Sequence, residues 1–510
     1  MSLGFVVGES KPTSVTAITS RSLSVGEYIK ISIDEGEILG LVERSSVSSA
    51  AFTDVKNFHE AEESTEIADI NKRDKTFTAH IGILGFLKNL RKGQSIIPAI
   101  PPIPGTEITQ PTNEDLEEIF SPKKEGWLKI GNLLRNEKIE AKINLDKIVS
   151  RHLGILAMTG MGKSNLVSLI TKKISEVKGT VIIFDYHNDY TTLNIPNVNV
   201  IDAKINPRLL EADQFSEVLE IRENADVQQR VLRMSFTQEV KEAGEFWNKL
   251  EYEVASLVNS EDKKLKEIRT SAYRVQDIIE DAQRRFDDIL DPEVGNPMDY
   301  IKEGYTNIIN ISELSEKQAN VAMGFYLQQL LKDRKNATIA KHGKSKKQKD
   351  YKFFEPVFII LEEAHVFIPK DHDTAAKYWA AKIAREGRKF GVGLAIVSQR
   401  PRSVDLNILS QMGSFAIMKI IQEDDQRQIA SATESTSREL ISQLTSLNVG
   451  DAVLVGQWTN LPSMVHVEEV KEKKMGADQS ATKAWIKADK MKNVAVESTQ
   501  GLVQKDLLLD

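Results

Sequence analysis

The segment Ala157-Met-Thr-Gly-Met-Gly-Lys-Ser164 constrains this chain more than any other, because it sets a glycine turn between an apolar strand-like run and an amphipathic helix-like one. It matches the phosphate-binding loop G-x-x-x-x-G-K-[ST] except at its first position, where alanine replaces glycine. In such a loop Gly160 and Gly162 let backbone N–H groups turn inward around phosphate. Lys163 neutralises β and γ oxygens, Ser164 reaches Mg2+, and the helix N-terminus adds partial positive charge. None of these roles falls on position 157. Thr159, Gly160, Met161, Gly162, Lys163, Ser164 and Asn165 are the candidate nucleotide-binding residues, with ATP and Mg2+ the expected ligands.

The flanks of the loop decide the fold class. HLGILAM, then NLVSLITKKI, then GTVIIFD read as strand, helix, strand, a βαβ unit that implies a parallel sheet covered by helices. The strand-like runs TNIINIS, FFEPVFIILEE and VGLAIVSQ recur later, with NVAMGFYLQQLLKD and KYWAAKIAREGRKF as helices among them. The expected fold is α/β, a recombinase-like P-loop core made of residues 121–207 and 300–470. Residues 208–299 show charged helical periodicity and read as an insertion. Residues 1–120 hold short β-type runs ending in the proline-dense IPAIPPIPG, and read as a small β-barrel. Residues 471–510 are Lys-rich and helix-prone, and read as a C-terminal tail. With 510 residues, more than one domain is expected.

An ATPase of this architecture needs a carboxylate at the end of a buried strand near the magnesium ion, and a second to align the attacking water. Val357-Phe-Ile-Ile-Leu-Glu-Glu363 supplies both: Glu362 for the magnesium shell, partly through water, and Glu363 to polarise water. Gln399, at the end of VGLAIVSQ, is placed to sense the γ-phosphate. Asp185, closing GTVIIFD, lies where open α/β sheets put ligands, and is either a nucleotide-site acid or a turn acid. Arg385 and Arg388 precede the sensor strand; either could be an arginine finger supplied to a neighbouring subunit, or a basic residue suited to a helix C-terminus. Arg334 to Lys349 holds seven Lys or Arg and no acid, and reads as an exposed loop, solvated or touching a nucleic-acid backbone.

Composition narrows the alternatives. The absence of cysteine excludes disulfides, thiolate metal sites and cysteine nucleophiles, and the eight histidines have no paired metal-ligand spacing. A net charge of −7 lacks the basic excess usual for nucleic-acid binders, yet basic residues concentrated on an inner wall would suffice locally. No run approaches the 18 apolar residues of a membrane span, and the N-terminus carries no secretion signal, so a soluble cytoplasmic chain without membrane contact is expected.

Taken in order, VGESKPTSVTAIT, EILGLVE, PPIPG, LKIGNLL, SRHLGILAMTGMGKSN, VIIFDYHNDY, INISEL, IILEEAH, AREGRKFGVGLAIVSQRP and LNVGDAVLVG resemble the archaeal HerA branch of the FtsK/HerA DNA translocases over most of the chain. The resemblance implies a homo-hexameric ring around double-stranded DNA, a C-terminal segment bracing the next subunit, and partnership with a NurA-type nuclease in DNA end resection. It also implies Arg388 as the trans finger and Arg151 as a second arginine near the nucleotide. Two other readings stay open. Glu362-Glu-Ala-His365 with Ser431-Ala-Thr433 mimics a monomeric DExH helicase, although their spacing is long and no second core domain is visible. A nucleotide switch without motor activity is the other.

Overall fold

The computed structural model describes residues 2–70, 75–222, 224–258, 268–287, 289–341, 351–433, 438–471 and 482. Six strands open the chain: β1 (Ser2–Lys11), β2 (Ser14–Thr19), β3 (Tyr28–Ile33), β4 (Gly36–Ser49), β5 (Lys75–Phe86) and β6 (Glu107–Thr109). They close into a barrel in the order β1-β2-β5-β4-β3-β6, which leaves no sheet edge unpaired. The period-2 pattern explains the closure: in SVTAIT, Val15, Ala17 and Thr19 point inward while the residues between them do not. Val6, Ile29, Ile31, Ile38, Val42 and Ile81 are among the other residues of the barrel core. The barrel is fastened to the rest of the chain by the Tyr28 hydroxyl, which donates to the Pro462 carbonyl at 3.0 Å, and by Arg135 Nε, which donates to the Val25 carbonyl at 2.9 Å.

The second sheet contains β7 (Trp127–Leu133), β8 (Asn136–Asn144), β9 (Leu153–Leu156), β10 (Thr180–Asp185), β11 (Val198–Asp202), β12 (Thr306–Asn310), β13 (Val357–Leu361), β14 (Val392–Ser398), β15 (Ser414–Ile417), β16 (Asp451–Gly456) and β17 (Ser463–Val467). Their order is β11-β12-β10-β13-β14-β9-β15-β16-β17-β7-β8, parallel as far as β15 and antiparallel beyond. Strands β9, β10, β13 and β14 are buried along their whole length, as a parallel sheet covered on both faces requires. Their carboxyl ends share one edge, which collects the phosphate loop, Asp185, Glu362 and Gln399.

The segment between β11 and β12 is helical, and its helices turn Val231, Leu232, Phe246, Leu250, Val254, Val275 and Ile279 inward. Two sequence expectations change. The run FFEPVFIILEE is strand only from Val357, because Pro356 cannot donate to a ladder and ends the pairing. The basic run is not a loop from its start: Arg334 to Lys341 belong to the helix Glu316–Lys341, and Arg334 is 4% exposed. Residues 342–349 of that run and nearly all of the 471–510 tail lie outside the described residues. No helix among the described residues is long and apolar enough to cross a membrane.

Candidate active site

β9 delivers the phosphate loop. Ala157 N donates to the Ser398 carbonyl at 3.2 Å and Met158 N to the Lys419 carbonyl at 3.1 Å, so the loop entry is pinned between two strand ends. Ala157, immediately after β9, is fully buried within the hydrophobic core, which accounts for a methyl group where the motif has glycine. Gly160 and Gly162 have φ of +78° and +104°, in the region that glycine alone enters freely. A Cβ on Gly162 would also lie 3.2 Å from Met418 Cε. The helix Lys163–Glu176 starts at once and buries Leu166, Val167, Leu169, Ile170 and Ile174, fixing the direction of its N-terminus.

At that N-terminus Lys163 meets both predicted carboxylates. Its Nζ donates to Glu363 Oε1 at 2.7 Å and lies 3.3 Å from Glu362 Oε2. Burial alone would depress the Lys163 pKa, but the two carboxylates hold it above its ordinary value. Glu362 is buried, which raises its pKa against the opposing pull of Lys163 and a hydrogen bond from the Tyr190 hydroxyl to Oε1. Glu363 has φ of +45°, unusual for a residue with a Cβ, and this turns its side chain from the end of β13 toward the loop. Its Oε2 is buried without a hydrogen-bond partner among the described residues, 3.2 Å from His365 Nδ1. Such an oxygen is suited to accept from a water molecule.

Ser164 Oγ donates to Asp189 Oδ2 at 3.2 Å. The donors gathered here are oxygens, and no group of three metal-ligating side chains exists among the described residues. This fits Mg2+, which is commonly held by phosphate oxygens and water with one or two protein groups rather than by a protein cage. On the neighbouring strand end, the Thr159 hydroxyl donates to Gln399 Oε1, so the expected phosphate sensor touches the phosphate loop directly.

Several expected site residues have other work. Asp185 is fully buried, and both its oxygens accept backbone N–H groups, from Asp189 at 2.9 Å and Tyr190 at 2.8 Å. It shapes the turn that presents Asp189 and Tyr190, as the turn-acid alternative expects. Asn165 is engaged as well: Nδ2 donates to the Glu468 carbonyl at 2.9 Å and Oδ1 accepts from Val470 N at 2.8 Å. Met161 takes part through its carbonyl, which accepts from Gly450 N at 3.1 Å. Tyr190, Asp189 and His187 were not singled out from the sequence as site residues, the available signal being the polar run HNDY just after β10, and His365 figured only in the DExH-like reading.

The arginines lie elsewhere. Arg388 sits in the turn Gly387–Phe390 before β14, and Arg385 at the end of the helix Ala375–Glu386. Both are at the amino edge of the sheet and exposed. β14 has seven residues, about 20 Å at ~3.3 Å per residue, and that length separates Arg388 from the edge that holds Lys163. Arg151 ends the helix Leu145–Arg151 just before β9, so it too is at the amino edge. The structure does not bring Arg151 to the phosphate loop of its own chain; the length of β9 intervenes. Ser431 and Thr433 spend their hydroxyls on the carbonyls of Arg427 and Ile429 in their own helix, which leaves the DExH-like pairing without a contact.

The profile described as "Helicase HerA, central domain" matches residues 128–330. The chain is 35% identical to the DNA double-strand break repair helicase HerA of Sulfolobus acidocaldarius over 503 residues, covering 96% of this chain and 97% of that one. It is 36% identical to the protein of the same name from Sulfurisphaera tokodaii over 498 residues, again covering 96% and 97%. This chain belongs to the HerA family. Membership places it among the P-loop helicases, in agreement with the loop, strand and carboxylate geometry above. VirB4 of Thermoanaerobacter pseudethanolicus is a solved structure of similar fold, with a TM-score of 0.49 and 15% identity over 68% of this chain and 98% of that one.

Proposed function

We propose that this HerA-family chain is an ATP-driven translocase and helicase on double-stranded DNA, working as a homo-hexamer beside a NurA-type nuclease in end resection during double-strand-break repair. One observation carries the ring: the sheet holds Lys163, Glu363 and Gln399 on its carboxyl edge and presents Arg388 and Arg151 on the opposite one. A residue of one edge can complete a phosphate site only on a second copy.

In this reading Lys163 and the loop amides hold the β and γ phosphates, and Gln399 contacts the γ-phosphate. Glu363 Oε2 orients the attacking water and takes its proton. Mg2+, held by Ser164 Oγ and through water by Glu362, would neutralise charge on the phosphates. A neighbouring subunit's Arg388 would stabilise the charge that develops in the transition state, an effect worth about 10³-fold or more in comparable ATPases. DNA contact would run through the phosphate backbone without base readout.

The test is the steady-state ATPase rate with and without linear duplex DNA, at low and moderate salt, on protein of measured oligomeric state. Stimulation that fades with salt is expected, because backbone contacts release counterions. An unchanged rate on an assembled ring would overturn the DNA-driven motor and favour the switch reading.

A further inference from the structure

The turn that carries Arg388 is held by three side chains that the chemistry above does not use. Arg334, buried on the helix Glu316–Lys341, donates Nε to the Phe390 carbonyl at 3.0 Å. Its Nη1 reaches the carbonyls of Phe353 at 2.8 Å and Phe354 at 2.7 Å, so one guanidinium closes three backbone carbonyls from two segments. The next residue on that helix, Lys335, pairs with Glu386 at 2.6 Å and lies over the Phe390 ring.

The third is His152, between the helix Leu145–Arg151 and β9. Its Nδ1 accepts from Leu394 N at 3.0 Å, which leaves Nε2 carrying the proton donated to the Ala384 carbonyl at 3.1 Å. The ring is 2% exposed and its residue sits at φ +63°, so the backbone bends to place it. Two glycines let the turn close inside this clamp. A Cβ on Gly387 would lie 2.6 Å from the Val392 carbonyl, and one on Gly391, at φ +66°, would lie 3.1 Å from Arg334 Nη2. The turn is thus fixed at Ala384, Glu386 and Phe390, while Arg388 between them is exposed.

We propose that Arg334 and His152 are positioning residues that hold the 384–391 turn in the shape Arg388 needs to reach the phosphate site of a neighbouring subunit. This rests on the trans reading of Arg388. A flexible turn would have to be ordered at each encounter, whereas a clamped one arrives ordered, and a misplacement of about 1 Å can cost about 10²-fold in rate. The guanidinium fork is needed because lysine cannot serve three carbonyls in fixed directions.

The experiment uses full-length chains, singly and in co-expressed mixed assemblies. Arg334→Lys and, independently, His152→Gln are compared with Arg388→Ala, each alone and mixed with Lys163→Ala. A Lys163→Ala subunit cannot turn over its own nucleotide but offers an intact arginine turn. A turn-defective subunit has an intact phosphate loop.

Expected for both variants is a fall in kcat of about 10-fold to 100-fold, set by misplacement, with the KM for ATP little changed, and recovery of turnover on mixing with Lys163→Ala. Loss through misfolding would not be recovered by mixing. Recovery for Arg388→Ala but none for Arg334→Lys or His152→Gln, or wild-type kcat in both, would overturn the positioning role and leave the finger standing. Failure of Arg388→Ala itself to recover would bring down the trans reading and this proposal together.

Discussion

Replacing Glu363 with glutamine should move binding and turnover in opposite directions. Lys163 Nζ is 2.7 Å from Glu363 Oε1 and 3.3 Å from Glu362 Oε2, and all three groups are nearly buried. Incoming phosphate must therefore draw Lys163 away from two carboxylates and settle beside their negative charge. Unit charges about 3 Å apart attract by roughly 5 kcal/mol at an effective dielectric near 20. Most of that is cancelled by the desolvation that accompanies a buried pair. If about 1–2 kcal/mol remains after neutralising one carboxylate, ATP should bind about 5-fold to 30-fold more tightly. Turnover should fall by about 10²-fold or more, since glutamine cannot take a proton from the attacking water. Fluorescent-nucleotide titration and steady-state hydrolysis on the same preparation give both numbers. Glu363→Gln that binds ATP no more tightly than wild type would refute the competition argument; wild-type turnover would move water activation to another residue.

Gly162→Ala should abolish ATP binding while leaving far-ultraviolet circular dichroism intact, with a stability loss of about 1–2 kcal/mol from the left-handed φ in chemical denaturation. Tyr190→Phe removes the hydroxyl bonded to Glu362, and should destabilise the fold by about 1–3 kcal/mol in urea unfolding; an unchanged midpoint would show that Glu362 keeps another donor. Asn165→Ala should accelerate hydrogen exchange at the Val470 amide, which loses its acceptor, and unchanged protection there would rule out the pin. His152, pushed down to about 4 by burial, binds its proton more weakly folded than unfolded, so its contribution to stability is complete above about pH 6.5 and is lost as pH falls toward 4. The Tm of wild type should therefore drop more steeply over that window than that of His152→Gln, and parallel curves would deny the buried neutral ring.

What the sequence disclosed was whatever lies contiguous along the chain. The phosphate loop and the pair Glu362-Glu363 could be read because a loop and a strand end each carry their chemistry within a few residues. The structure then brings Lys163, Glu362 and Glu363 together across about 200 residues, as the order of the strands requires. Side chains whose polar atoms are already bound to backbone were harder to read. Asp185 and Asn165 have the right address beside the nucleotide edge, but backbone N–H and C=O groups had already taken their polar atoms, and backbone satisfaction leaves no trace in a motif. Arg334 was hidden by company: in a run of basic residues it looked solvated, whereas the helix buries it and Lys341 stays at the rim. His152 gave no signal, since its two partners lie more than 230 residues away.

The strand β14 carries Gln399 beyond one end and the Arg388 turn before the other. A buried strand hydrogen-bonded on both sides does not stretch, so its two ends keep a fixed separation. In the hexamer proposed above, each chain would listen to its own phosphate at the front of the rod and speak to the next chain's phosphate at the back. The message could then pass only one way round, because the two ends of the rod are chemically different. A sense of rotation would follow from the polarity of a single polypeptide strand, with no clock outside the ring.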